Sequence, residues 1–180
     1  MSVRRPVDAR SGLVLEVHDL SRQPGTMRQL RRTVEAPEGV GLEIIEVPAG
    51  SPVELDVRLE AVGEGVLVSG TAAARLAGEC TRCLTQIATT SQVDIQELFY
   101  YPGNGPDGDD VSRIEEERIN LEPVVRDAVV LDLPFAPLCR DDCLGLCQRC
   151  GANLNEDPDH QHTDLVDPRW DGLSGWTPQS

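Results

Sequence analysis

Six cysteines and two of the three histidines are the residues of this chain whose types and spacing best suit chemistry. Thiolate sulfur and imidazole nitrogen are the ligands that zinc prefers, and two tetrahedral zinc ions need eight of them. Paired cysteines in a reducing compartment are more often metal ligands than disulfides, so the spacing favours metal over cross-links. The eight candidate ligands are Cys80, Cys83, Cys139, Cys143, Cys147, Cys150, His160 and His162.

The first pair, Cys80 and Cys83, has the C-x2-C spacing that lets one tight turn direct two thiolates at a single ion. A thioredoxin-like redox pair is the competing interpretation of this spacing. Such a pair usually begins a helix inside a βαβ unit, and no such unit is visible around Cys80. A metal knuckle is therefore the favoured hypothesis for this pair.

The second cluster has the spacing C-x3-C-x3-C-x2-C, and two histidines follow ten and twelve residues after its last cysteine. One partition places Cys80, Cys83, Cys139 and Cys143 on one ion and Cys147, Cys150, His160 and His162 on another. A rival partition places Cys80, Cys83, Cys147 and Cys150 on one ion and leaves Cys139 and Cys143 spare. The spacing alone leaves both partitions open.

Most of the chain that must position these ligands has the pattern of β-strands. Apolar and charged residues alternate from Val53 to Ala61, the period-2 pattern of a half-buried strand. Apolar spacing predicts a helix over 121–129, with Asn120 as N-cap and Pro134 ending it. We predict an α+β fold, a β-rich antiparallel meander with one main helix. Further strands are predicted within residues 13–17, 41–47, 66–79 and 86–98.

The chain divides into two parts by composition. Residues 1–137 are predicted to form the β-rich domain with the helix, and residues 102–111, rich in Pro, Gly and Asp, to form a mobile acidic loop. From 138 onward the periodicity is lost and cysteines and turns dominate. Residues 138–180 are therefore predicted to be a metal-stabilised tail that does not fold independently.

The charge distribution restricts the possible partners. The formal net charge is −15, and every basic residue is Arg; residues 51–180 hold nine Arg against twenty-four acidic residues. Such a surface repels a phosphate backbone and attracts basic proteins. Direct RNA binding would need a local patch, for which the candidates are Arg28, Arg31 and Arg32, or the N-terminal Arg4, Arg5 and Arg10.

No apolar segment reaches the roughly 20 residues that span a bilayer, and no apolar stretch follows the charged N-terminus as in a signal peptide. A cytoplasmic protein without a membrane partner is expected.

A catalytic site is not apparent. The acids Asp107, Asp109, Asp110 and Glu115 to Glu117 lie in a polar setting rich in breakers, where a solvated loop is the expected role. No Ser/His/Asp arrangement, phosphate loop or His-Glu-x-x-His helix is present in the sequence. A zinc ion with four protein ligands has no open position for water, so the metal sites should be structural. We therefore expect that the protein is not an enzyme.

Several motifs together resemble the YceD family, the large ribosomal RNA subunit accumulation proteins of bacteria and plastids. They are Cys80-Thr81-Arg82-Cys83-Leu84, the helix end Leu133-Pro134, Gly145-Leu146-Cys147, Cys150-Gly151-Ala152-Asn153-Leu154-Asn155, and Asp167-Pro168-Arg169-Trp170. The resemblance implies a role in the synthesis, processing or stability of 23S rRNA within the pre-ribosomal large subunit, with no enzymatic activity established for the family.

The resemblance also ranks the two metal sites. Many relatives carry a further cysteine pair where this chain has His160 and His162, an exchange that a shared ligand role would permit. Some relatives keep only the first pair and a later partner, so the second site is expected to be the more dispensable. Asp167-Pro168-Arg169-Trp170 is a candidate docking motif, since exposed Trp and Arg often anchor interfaces.

Overall fold

The alternating segment around Val57 forms the strand on which the main sheet is built, with the side chains of residues 53, 55, 57, 59 and 61 buried. The computed structural model describes residues 12–20, 24–108, 111–162 and 169. The strands are β1 (Val14–Glu16), β2 (Met27–Glu35), β3 (Val40–Leu42), β4 (Ile45–Val47), β5 (Pro52–Ala61), β6 (Gly65–Glu79), β7 (Gln86–Tyr100) and β8 (Arg118–Asn120); the helix α1 is Glu122–Asp132.

All strand pairs are antiparallel, and β6 is the centre of the main sheet. β5 and then β4 pair along one edge of β6, while β7 runs along its other edge over all fifteen residues. β2 pairs with β5, and β3 pairs with β4. β1 and β8 form a separate two-stranded sheet. The predicted α+β class and antiparallel sheet are confirmed, but only β5, β6 and β7 follow one another as a meander.

Three features of the predicted strand pattern were wrong; one is that the short strand β8 was not predicted. The segment 41–47 forms two strands, β3 and β4, because residues 43–44 make a tight turn between them. The strand β2 was not predicted at all, since it lies at the edge of the sheet and only Val34 among its nine residues is buried. An edge strand with so little buried surface lacks the apolar alternation by which strands are recognised.

The helix α1 packs on β7 and β3 through Val125 and Val129, which are buried. Asn120 is not its N-cap: Leu121 occupies that position, and the Asn120 Oδ1 atom accepts a hydrogen bond of 3.0 Å from the backbone N–H of Glu122. At the other end, the Ser91 hydroxyl of β7 donates to the Asp132 carboxylate at 2.6 Å. The Ser91 contact holds the C-terminal end of the helix against the sheet, shortly before the second cysteine cluster.

The described part of the acidic loop, residues 102–108, is exposed as expected. It is held by Arg113, whose guanidinium donates to the backbone carbonyls of Asn104 and Pro106 at 2.9 and 2.8 Å. Among the residues that the structure describes, no helix combines the length and apolarity needed to cross a membrane. The division at residue 137 stays a prediction, and the candidate docking motif lies, apart from Arg169, outside the described residues.

Candidate metal centre

The turn between β6 and β7 forms the first knuckle. The backbone N–H of Cys80 donates to the Thr85 carbonyl at 2.9 Å, and the N–H of Leu84 donates to the Cys80 carbonyl at 2.9 Å. Leu84 has a positive φ of 58°, which lets the chain reverse within the turn. Two long paired strands therefore deliver Cys80 and Cys83 to the same end of the sheet.

Two cysteines of the segment after α1 complete a four-thiol group with this knuckle. Cys80 Sγ lies 3.8 Å from Cys143 Sγ, and Cys83 Sγ lies 3.5 Å from Cys139 Sγ. All four sulfurs lie within 4.8 Å of one another. Sulfurs at about 2.3 Å from a central zinc are about 3.8 Å apart in a tetrahedron, so the group fits a tetrahedral ion. We call it the four-cysteine group.

Backbone contacts fix the two halves of the four-cysteine group against each other. Thr81 donates its N–H to the Pro137 carbonyl at 2.9 Å, and Leu146 donates its N–H to the Arg82 carbonyl at 3.1 Å. The Arg82 guanidinium donates to the Cys143 carbonyl at 2.9 Å. The group thus joins parts of the chain that are 56 to 63 residues apart in sequence.

The thiols of this group differ in acidity. Burial raises the pKa of Cys80, but hydrogen bonds from backbone N–H groups, that of Cys83 first, outweigh burial and lower the pKa to about 6. The Thr85 hydroxyl, 3.2 Å from Cys83 Sγ, lowers the pKa of Cys83. The hydrogen bond with Cys83 raises the pKa of Cys139 to about 12. A divalent cation would displace the proton that Cys139 retains, since metal ligation requires thiolates.

Asn155 supports the four-cysteine group from the tail. Its Nδ2 atom lies 3.4 Å from Cys143 Sγ, a contact that donates an N–H to a thiolate. Its Oδ1 atom accepts from Arg140 Nη2 and from the backbone N–H of Leu144, both at 2.9 Å. Such outer contacts orient a metal ligand and offset its charge. The spacing of the cysteines gives no signal for Asn155, because its role depends on how the tail folds back.

The second knuckle repeats the backbone pattern of the first. Cys147 donates its N–H to the Ala152 carbonyl, and Gly151 donates its N–H to the Cys147 carbonyl, both at 2.8 Å. Gly151 has a φ of 73° and occupies the position that Leu84 has in the first knuckle. Hydrogen bonds from backbone N–H groups, that of Arg149 first, lower the pKa of Cys147 to about 6.

Both histidine rings lie close to the cysteines of the second knuckle. Cys147 Sγ lies 3.2 Å from His162 Nε2, and Cys150 Sγ lies 3.2 Å from His160 Nε2. The Asp157 carboxylate lies 3.5 Å from His160 Nδ1, where it can orient the ring. The four ligand atoms lie within 4.8 Å of one another, and the group is partly exposed. We call it the Cys/His group; it draws only on residues 147–162.

The structure therefore brings the candidate ligands together as in the first of the two partitions, and Cys139 and Cys143 are not left spare. Within the described ranges these are the two places where three or more Cys, His, Asp or Glu residues could share an ion. The acidic residues predicted to be solvated form no such group among the described residues; Asp109 and Asp110 lie outside them.

A family model for the large ribosomal RNA subunit accumulation protein YceD matches residues 68–175. The chain belongs to the YceD family. The matched region contains all eight candidate ligands, both knuckles and α1. The name of the YceD family describes a role in the accumulation of the large-subunit ribosomal RNA.

Similarity to individual proteins extends beyond the region that the YceD model matches. An uncharacterized protein of Mycobacterium tuberculosis, Rv2926c, is 46% identical over 164 residues, which are 89% of this chain and 79% of that protein. The uncharacterized protein ML1660 of Mycobacterium leprae is 41% identical over 168 residues, 91% of this chain and 77% of that protein. The uncharacterized protein YlbN of Bacillus subtilis is 24% identical over 160 residues, 85% of this chain and 90% of that protein. No solved structure matches the chain.

The arginines proposed as an RNA patch do not form one surface in this YceD family member. Arg28 and Arg32 lie on one face of β2 and Arg31 on the other, because successive side chains of a strand alternate. Arg31 pairs with Asp56 at 2.8 Å, and Arg28 pairs with Asp19 at 2.7 Å. Arg4, Arg5 and Arg10 lie outside the described residues.

Arg28 and Arg32 instead line a cavity of about 410 Å³ with Arg118 of β8, a residue that the sequence pattern did not suggest. The apolar lining comes from Val14, Leu15 and Leu30, and Glu16 is the one acidic lining residue. The Arg28 Nε atom is buried without a hydrogen-bond partner. Because Arg28 is paired with Asp19 and Arg118 lies 3.9 Å from Glu116, the cavity is a partly neutralised arginine cluster in an otherwise acidic chain.

Proposed function

We propose that this protein is a non-enzymatic factor that supports 23S rRNA accumulation, processing or stability during biogenesis of the large ribosomal subunit in the cytoplasm. Membership of the YceD family carries this proposal. Its two metal groups support a binding role rather than a catalytic one, because each offers four protein ligands to one ion and so leaves no coordination position for a substrate or water.

We propose zinc as the metal in both groups. Cys80, Cys83, Cys139 and Cys143 would hold one ion, and Cys147, Cys150, His160 and His162 the other. Thiolate and imidazole sets of this kind suit zinc better than Mg²⁺ or Ca²⁺, which prefer oxygen. When bound, the metal would supply structural stability and no chemistry of its own. The first ion would hold the turn of the sheet to the segment after α1, and the second would order the tail.

The partner is proposed to be the pre-ribosomal large subunit, reached through a basic ribosomal protein. The formal net charge of −15 supports this choice, since acidic surfaces attract basic proteins and repel RNA.

We expect a tagged copy of the protein to co-sediment with large-subunit precursors when cell extract is separated on a sucrose gradient at low salt. Depletion of the protein should lower the ratio of 23S to 16S rRNA. The small-subunit fractions of the same gradient serve as the control, because a general attraction to ribosomal particles would place the tagged protein there as well. Absence from precursor fractions together with an unchanged rRNA ratio would contradict the proposal.

Direct RNA contact is the second candidate, and the cavity of Arg28, Arg32 and Arg118 favours it. The three arginines, of which Arg28 is also paired with Asp19, could bind a phosphate of a single RNA strand while the half-buried Leu30 contacts a base. A thiol redox role has less support, since Cys80 and Cys83 each lie against a cysteine of another segment rather than at the start of a helix.

The triple variant Arg28→Gln, Arg32→Gln, Arg118→Gln tests this second candidate. Each phosphate contact to a single strand contributes about −0.7 to the slope of log K against log salt. The triple variant should therefore flatten the slope for 23S rRNA fragments, while Arg31→Gln, on the opposite face of β2, should leave it nearly unchanged. Equal slopes for the wild type and the triple variant would remove the candidate.

A further inference from the structure

Exposed apolar side chains concentrate at the end of the sheet that holds the four-cysteine group. Leu84 directly follows Cys83, and Leu144 directly follows Cys143. Among the described residues six large hydrophobic side chains are exposed, and only Met27, at the start of β2, lies in a segment without a contact to this end. The other five are Ile44, Leu84, Leu131, Phe135 and Leu144, which we call the knuckle surface.

Backbone hydrogen bonds join the segments that carry the knuckle surface. The Ile44 carbonyl accepts from the N–H of Glu79, the residue before Cys80, at 3.0 Å. Pro137, two residues after Phe135, accepts from the Thr81 N–H of the first knuckle. The segments that carry Ile44, Leu84, Phe135 and Leu144 therefore meet in one region, and Leu131 lies four residues before Phe135, although the five residues are up to 100 positions apart in sequence.

Leu84 is the clearest sign that this region has a role beyond folding. Its φ of 58° is a conformation that side chains with a Cβ rarely adopt, and the equivalent position of the second knuckle holds Gly151. Both knuckles make the same two backbone hydrogen bonds, so the turn itself does not require leucine. The Leu84 side chain is 59% exposed, so burial in the core does not account for it either.

Phe135 and Leu131 are exposed to a degree unusual for their size. Phe135, three residues beyond the end of α1, is 91% exposed, and Leu131, near the C-terminal end of α1, is 85% exposed. Val125 and Val129 of the same helix are buried, so the core has its own helical contacts. Large apolar side chains grouped on a surface are typical of protein interaction sites.

The charges beside the knuckle surface identify the kind of partner. Glu79, Asp141 and Asp142 are exposed at this end, and Asp132 is exposed at the end of α1. Arg140 pairs with Asp142 at 3.2 Å, and the Arg82 guanidinium donates to the Cys143 carbonyl, so these two cations offset only part of the acidic charge. A second copy of the chain would bring the same acids to the contact, and RNA would be repelled. A protein segment with both apolar and Lys or Arg side chains is complementary.

We propose that the knuckle surface docks a basic, amphipathic protein segment, with Phe135, Leu131 and Leu84 as its apolar anchors. This inference rests on the proposed function, for which it specifies the surface that receives a basic ribosomal protein. The turn that presents Leu84 and the segment that presents Leu144 meet through the four-cysteine group, so the same group that closes the fold also shapes the docking surface.

The test uses the metal-loaded full-length protein and a synthetic amphipathic helical peptide with lysines on one face and leucines on the other. One control peptide replaces the lysines with glutamate, and another replaces the leucines with serine. The protein variants are Leu131→Gln with Phe135→Ser, Leu84→Gly, and the matched control Met27→Gln. We expect the wild-type protein to bind each control peptide at least about tenfold more weakly than the parent peptide. Each knuckle-surface variant should likewise bind the parent peptide at least about tenfold more weakly than the wild type does, because an interface anchor is lost.

Met27→Gln should bind the parent peptide as the wild type does. Leu84→Gly should keep the metal content and should not lower the thermal midpoint, since glycine relieves the positive φ. Equal binding by all variants, or a loss shared by Met27→Gln, would overturn the docking surface. A lower thermal midpoint together with lost metal in Leu84→Gly would also overturn it, because Leu84 would then have a structural role. A wild-type dimer in sedimentation that Leu131→Gln with Phe135→Ser abolishes would overturn it as well.

Sucrose gradients separate this proposal from the broader one. If the wild type binds the peptide but never co-sediments with large-subunit precursors, the docking surface stands and the proposed function fails. If the wild type and the knuckle-surface variants co-sediment equally, the proposed function stands and the docking surface is overturned.

Discussion

Cys80→Ser is expected to destabilise the whole domain and not only the metal site. Cys80 is fully buried at the end of the central strand β6, and its group joins this strand to the segment after α1. Structural zinc contributes about 10–16 kcal/mol in small zinc domains, whereas a whole domain is stable by only about 5–15 kcal/mol. Losing one of four thiolates should therefore remove most of the net stability.

Thermal unfolding followed by circular dichroism, with metal content measured on the same samples, checks this prediction. The wild type treated with a strong chelator should resemble Cys80→Ser, and re-addition of Zn²⁺ should rescue the wild type alone. Cys150→Ser is the matched control, because it changes the same kind of ligand in the exposed group. A Cys80→Ser protein that unfolds at the wild-type midpoint would show that the four-cysteine group carries no structural metal.

The second large effect is on metal stoichiometry. Native mass spectrometry of the wild type should show two zinc ions per chain, and Cys150→Ser should show one with the β-sheet intact. The Cys/His group draws only on residues 147–162 and is partly exposed, so its loss should disorder the tail and leave the sheet folded. Asn155 contacts Cys143 Sγ, so a modest weakening of the first site should accompany this change.

Acid release of the ions before a second mass measurement completes the experiment. The mass of the metal-free chain should equal that of six free thiols, since each disulfide would lower it by the mass of two hydrogens. A single zinc in the wild type would contradict the two-site interpretation, and three disulfides would contradict metal binding altogether. If Cys150→Ser still binds two zinc ions per chain, Cys150 is not a ligand.

Much of the architecture could be predicted because the signals are local. The alternation from Val53 to Ala61 forms β5, and the helical spacing around Val125 and Val129 forms α1. The edge strand β2 was not predicted because its arginines and exposed side chains resemble a basic surface patch. Its neighbours in the sheet, rather than its own composition, make it a strand, and the same pairing separates Arg31 from Arg28 and Arg32.

The candidate site shows the same division. Residue types and spacing determined that Cys80 and Cys83 form one knuckle and that Cys147 and Cys150 form another, because a C-x2-C turn is a local structure. Spacing also made the two histidines candidates for the second knuckle. Membership of the YceD family was visible in the joint occurrence of these motifs.

Only the tertiary structure decided which ligands share an ion, because partners 56 to 63 residues apart meet through the packing of α1 on β7 and the return of the chain past the first knuckle. The contact of Asn155 with Cys143 and the joint position of Arg118 with Arg28 arise in the same way. Which large apolar side chains are exposed was also decided only by the tertiary structure. Leu84 and Phe135 are of residue types that are usually buried, and only the folded chain shows that the core is complete without them.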